Sequence, residues 1–175
     1  MGRSAARFDF AKLDSVNGHY IREAQDARLA ALIRPIIENK RGGPLDPHGA
    51  ARIQRGMKGL KQRAKTLIEL ADAALFYAAA RPLTLDDKAA KLLTPEAKAI
   101  LKGLGAHLAA QAQWDEPALE AAVRGFAEAK GLGLGKVAQP LRAALTGSGA
   151  SPGLFEVMEV LGREEALGRI ADQAG

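Results

Sequence analysis

Cysteine is absent from the 175 residues. That excludes disulfides, thiolate metal sites and a cysteine nucleophile, and it fits a reducing compartment. Aromatic residues are few, at 5%. Strand-forming residues are also few: Val and Ile together number 13 and Thr 4, against 36 Ala and 23 Leu. Ala and Leu lead the helix scale, whereas β-branched residues favour strands, so an all-α fold is expected. No run alternates with a period of two. No stretch approaches the ~18 consecutive apolar residues of a membrane span. The N-terminal MGRSAARFDF has no apolar signal-peptide core, so a cytoplasmic protein is expected.

Catalytic chemistry is equally scarce. His19, His48 and His107 show no metal-ligand spacing, and no metal is expected. There is no G-x-S-x-G, no P-loop and no H-E-x-x-H. The G131-L-G-L-G135 run has neither a preceding strand nor G-x-G-x-x-G spacing, and reads as a helix C-cap followed by a turn.

What is present is a helical chain with an uneven charge. The net charge is +5; residues 1–81 hold 15 Lys/Arg and 8 Asp/Glu, and residues 82–175 hold 10 and 12. A basic half suits a polyanionic partner, or simply a solvated surface. Apolar spacing predicts two helices between Asp9 and Glu38, interrupted at Asn17–Gly18, then a loop over residues 38–49. From Ala51 to about Ala80, Ile53, Met57, Leu60, Ala64, Leu67, Ile68 and Ala71 share one face of a single predicted helix. Arg52, Arg55, Lys58, Lys61, Arg63 and Lys65 surround it, and no acid occurs between Asp46 and Glu69. Arg81–Pro82 ends the segment and suggests a boundary, with subdomains 1–81 and 82–175.

Downstream, Thr84, Thr94 and Asp115 read as N-caps, Gly131 as a helix end, and Ser151–Pro152 as a further helix start. Pro140 is expected to kink or restart the helix between Lys136 and Leu145. Trp114 reads as a packing anchor rather than a base-stacking platform. About eight to ten helices in two clusters are expected.

Three segments carry a resemblance: FDFAKLDSVNGHYIR (8–22), MKGLKQRAKTL (57–67) and LGKVAQPLRAALTGSGASPGLFEVMEVLG (134–162). They resemble, in order, the C-terminal stem-contact and anticodon-binding region of bacterial glutamyl-tRNA synthetases, a class I aminoacyl-tRNA synthetase family. The resemblance implies a tRNA(Glu)-binding module of two helical subdomains. The family's H-x-G-H-type and K-M-S-K-S-type signatures are both absent from the chain, so aminoacylation by the chain alone is not expected. ATP and magnesium would belong to the parent enzyme, with no cofactor on this chain. A fragment of a longer protein is expected, binding tRNA as a monomer, with no DNA or membrane partner. The alternative is a truncated paralogue serving as a helical protein-interaction module.

The resemblance also implies site residues. The arginine of the P-L-R segment falls at Arg142, and the helix start after the following turn falls at Ser151, Pro152, Leu154 and Phe155. These positions surround anticodon bases in the family. Arg142 would donate to a base edge or stack on it, Ser151 would offer a hydroxyl, and Leu154 and Phe155 apolar walls. Ser151 stands where some relatives carry Thr, and the hydroxyl is kept. Arg63, with Lys65 as the alternative, matches a further anticodon reader. Lys58, Lys61 and Lys65 are expected as phosphate contacts on one flank of the cationic helix.

Overall fold

A computed structural model of the chain describes residues 10–175, with side chains from Asn17 onward. Residues 1–9 and the side chains of Leu13 and Val16 lie outside the described residues. Among the described residues there are ten α-helices, one 3-10 helix and no strand. The chain divides after Ala78 into two compact units. No helix among the described residues is long and apolar enough to cross a membrane.

Unit one contains α1 (Phe10–Glu23), α2 (Asp26–Arg41), α3 (Pro47–Leu60), α4 (Leu67–Ala74) and a 3-10 turn (Leu75–Ala78). The first two helices break at Ala24–Gln25 rather than at Asn17–Gly18. Gly18 lies inside α1, where a Cβ would sit 3.7 Å from the Ala64 carbonyl oxygen. A single glycine costs a helix only about 1 kcal/mol, and here it does not break it. Leu29, Ile33 and Ile37 of α2 and Ile53, Met57 and Leu60 of α3 are buried. Each contributes about 1.5–3 kcal/mol of transfer free energy.

The segment expected as one helix from Ala51 to about Ala80 is three pieces. Helix α3 ends at Leu60, and α4 begins after Thr66. The Thr66 hydroxyl accepts the Glu69 N–H at 3.0 Å, and the Glu69 carboxylate accepts the Lys65 N–H at 2.8 Å. This capping arrangement starts a new helix, even though the apolar period runs on through the buried Ala64. Further on, the 3-10 turn lays Tyr77 against α3 at Gly56, where a Cβ would come within 2.6 Å of the ring.

The loop between α2 and α3 is pinned by a carboxylate. Glu38 Oε2 accepts the Leu45 N–H at 2.8 Å and lies 3.5 Å from Arg34 Nε. The Leu45 amide, above all, holds the Glu38 carboxyl below its ordinary pKa, helped by Arg34 and opposed by desolvation.

Unit two contains α5 (Asp87–Leu92), α6 (Pro95–Ala109), α7 (Glu116–Ala129), α8 (Leu134–Thr146), α9 (Leu154–Leu161) and α10 (Arg163–Ala174). Helix α8 is central and touches the other five. Thr94 and Asp115 cap α6 and α7 as expected, accepting from Ala97 and Ala118. The cap expected at Thr84 is instead Asp86, whose carboxylate accepts the Ala89 N–H at 2.7 Å. Gly131 closes α7 at φ 67 in a Schellman arrangement, with Leu132 N–H bonded to Ala127 and Gly131 N–H to Glu128. Trp114 is half-buried and donates its indole N–H to the Met158 carbonyl at 2.8 Å, as an anchor should.

Pro140 neither ends nor restarts α8, which is continuous from Leu134 to Thr146. The ring is buried in a helix surrounded by five others, and their packing holds the helix together despite the lost hydrogen bond. Nor does a helix start at Ser151–Pro152: α9 begins at Leu154, after Gly153.

Candidate nucleic-acid interface

The predicted site residues of unit two meet at the turn joining α8 to α9. Gly147 ends α8 at φ 73, a left-handed conformation that favours glycine. A Cβ there would also lie 2.6 Å from the Thr84 carbonyl oxygen. The Gly147 carbonyl accepts the Asp86 N–H at 2.9 Å, so the segment ahead of α5 runs against the turn. Thr146 stiffens it from within. Its hydroxyl donates to the Arg142 carbonyl at 2.8 Å and accepts the Ser148 N–H at 3.2 Å.

On this frame Arg142 and Ser151 come together. Arg142 Nε donates to Ser151 Oγ at 3.0 Å, and that hydroxyl donates to the Pro152 carbonyl at 2.7 Å. Arg142, Ser151, Pro152 and Phe155 are half-buried, whereas Leu154 is buried. The two Nη nitrogens of Arg142 meet no acceptor among the described residues. A guanidinium fixed at one nitrogen and open at two offers a forked pair of donors.

Two further residues of unit two were not singled out from the sequence. Arg169 of α10 has a fully buried side chain, ion-paired to Glu165 at 2.7 Å. It donates Nη1 to the Leu145 carbonyl at 2.8 Å and so supplies a donor to the last turn of α8. An arginine on an apolar helix face was the available signal. Lys88 of α5 lies along the turn itself. Its aliphatic carbons would crowd a Cβ at Gly149 to 2.8 Å. Lys88 has no ion-pair or hydrogen-bond partner among the described residues.

In unit one, Lys58 lies on α3, while Arg63 and Lys65 lie in the turn after it; all three are exposed. They do not project from one helix flank, because the helix ends at Leu60. Lys61, at the C-cap, points inward. Its ammonium pairs with Asp26 at 2.6 Å and donates to the Ala24 carbonyl at 3.1 Å, leaving the side chain 14% exposed. Asp26 thus supplies in space the acid that the sequence around Lys61 lacks. His19, His48 and His107 are exposed, and no group of metal-ligating residues forms among the described residues.

A helical chain with an exposed cationic turn and an oriented guanidinium has the make-up of a binder of unpaired nucleotides. Residues 28–174 match the family described as "Anticodon binding domain", and the chain belongs to that family. Over 172 residues it is 60% identical to Glutamate--tRNA ligase 2 of Rhodospirillum centenum, covering 98% of this chain and 37% of that protein. It is 55% identical to Glutamate--tRNA ligase 2 of Paramagnetospirillum magneticum, covering 100% and 37%. The part matched is the C-terminal region of these ligases. The chain therefore spans little more than a third of the length of the curated relatives it matches. Among solved structures, a glutamate tRNA ligase from Elizabethkingia meningosepticum superposes with a TM-score of 0.73 at 24% identity, over 92% of this chain and 31% of that one. That likeness is one of fold.

Proposed function

We propose that the chain is the anticodon-binding part of a glutamyl-tRNA synthetase and that it binds tRNA(Glu) without catalysing aminoacylation. The observation that carries this reading is Arg142, half-buried and held by Ser151, with both outer nitrogens open. Unpaired loop bases expose edges that a guanidinium fork can bond and faces on which Pro152 and Phe155 can pack. Exposed Lys58, Arg63 and Lys65 add attraction to phosphates, with Arg63 or Lys65 also within the reading of the anticodon. The chain takes no cofactor itself; ATP and magnesium belong to the catalytic part of a whole synthetase. It acts in the cytoplasm as a monomer and takes neither DNA nor membrane as partner.

The test is a binding measurement at one fixed salt concentration. Arg142→Ala, shown to be folded by circular dichroism, should lose roughly 1–3 kcal/mol with tRNA(Glu) and much less with a tRNA bearing an unrelated anticodon. Equal losses would remove Arg142 as a base reader. The isolated chain should also show no glutamate-dependent ATP–pyrophosphate exchange. One feature favours a second reading, a helical protein-interaction module. Tyr20, Leu32 and Ile68 are exposed and line an apolar groove of unit one. Failure of the chain to shift tRNA(Glu) in a gel would favour that reading.

A further inference from the structure

We infer that Ser151 is a positioning residue that sets the direction of the Arg142 guanidinium, and is not itself a reader of the base. This rests on the proposed reading of Arg142. A serine hydroxyl has one proton to give and two lone pairs to offer. The proton goes to the Pro152 carbonyl at 2.7 Å, and one lone pair takes the Arg142 Nε–H at 3.0 Å. The hydroxyl therefore has no donor left for a base edge unless the Pro152 bond breaks.

What the hydroxyl does instead is fix a plane. The guanidinium is planar, and Nε is its inner corner. Bonding Nε to Ser151 fixes that plane and leaves the four N–H donors of the two Nη groups unengaged, two of them paired at the far end of the guanidinium. The anchor is itself restrained, since the φ of Pro152 is fixed by its ring and the turn is tied through Thr146 and Gly147. Ordering of the long arginine side chain thus precedes binding and does not subtract from it. Pro152, Ser151 and Arg142 form one polar chain that ends at the ligand.

A double-mutant cycle tests this on the 175-residue chain, with unmodified tRNA(Glu) and the same RNA carrying a changed anticodon. Ser151→Thr keeps the hydroxyl and adds a methyl, and Ser151→Val, isosteric with threonine, carries the same added methyl with the hydroxyl replaced by a second one. Ser151→Thr should bind as the parent does. Ser151→Val should lose roughly tenfold with the matched anticodon, the loss of a charged hydrogen bond, and little with the changed one. In an Arg142→Ala background, Ser151→Val should cost less than about twofold more, because the residue it positions is gone. Losses that multiply in the double variant would overturn the inference, as would a Ser151→Val chain that still discriminates anticodons like the parent. If Ser151→Val melts early, Ser151→Ala makes the same deletion without the β-branch. The Arg142→Ala arm stands apart: if it loses both RNAs equally, the base-reading assignment fails. If it is selective but Ser151→Val is additive, only the positioning role fails.

Discussion

Each unit ends a helix in a turn that carries cationic or polar side chains, but the two turns dispose of those groups in opposite ways. In unit one, the turn after α3 bonds its Lys65 amide to the Glu69 carboxylate and caps the Glu69 amide with Thr66, and the side chains of Lys58, Arg63 and Lys65 are left exposed. In unit two, the turn after α8 is tied by side chains: Arg142 donates to the Ser151 hydroxyl, Ser151 to the Pro152 carbonyl, and Thr146 to the Arg142 carbonyl. A charge acts over a Debye length of about 8 Å at physiological ionic strength and needs no fixed direction. A hydrogen bond to a base edge needs both distance and angle. Phosphate contacts position a nucleic acid and base contacts specify it, and under the proposed function the two turns divide these tasks.

The inward cations offer the strongest way to break that comparison. Arg169 is fully buried, whereas Lys61 keeps 14% of its side chain exposed and pairs with an Asp26 that is 40% exposed. Arg169→Met should cost unit two about 2–4 kcal/mol, because Glu165 and the Leu145 carbonyl lose a charged donor. Urea unfolding followed by Trp114, the single tryptophan, reads this directly. Lys61→Met, followed by far-UV circular dichroism, should cost unit one about 1 kcal/mol or less. Equal losses would mean that the two ties are alike.

A smaller effect sharpens the assignment of exposed charge. Lys58→Ala, Lys65→Ala and Lys88→Ala should each reduce the salt slope of tRNA binding by about 0.7–0.9, whatever the anticodon. Lys61→Ala should leave the slope nearly unchanged, since Asp26 already matches its charge. A full reduction from Lys61→Ala would show that the ion pair opens on binding.

The smallest effect concerns acid. The folded pKa of Glu38 is lowered, chiefly by the Leu45 amide. Its contribution to stability is therefore complete above the ordinary carboxylate value and is lost as pH falls through the lower, folded value. Glu38→Gln should flatten the fall in unit-one stability as pH drops below the ordinary carboxylate range. An unchanged acid limb would assign the fall to other carboxylates.

Much of the fold was legible in the sequence because helix signals are local. Composition favoured helices over strands, and the caps at Thr94 and Asp115 and the stop at Gly131 depend on neighbouring residues alone. The misplaced starts have a common cause. Thr84 and Ser151 have the chemistry of caps, but each lies two residues ahead of the cap positions, which Asp86 and Gly153 take. Pro140 does not restart α8, because its local cost is set against burial among five neighbouring helices. In the site, Arg142 and Ser151 were found by resemblance, while their hydrogen bond follows only from the path of the turn between them. Lys61 looked like its neighbours until α2 brought Asp26 beside it. Lys88 carries no local mark; only folding places it along Gly149.

The flush contact of Tyr77 on Gly56 has a consequence for how this domain can diverge. Any side chain at position 56 would enter space the ring already fills, and a smaller residue at position 77 would leave a hole that glycine cannot fill. Neither position can drift alone. Across descendants of this chain the two should behave as a single inherited character, Gly with Tyr in some lineages and a larger residue with a smaller one in others. The intermediate genotypes would be purged for lost packing, however well they still bound RNA.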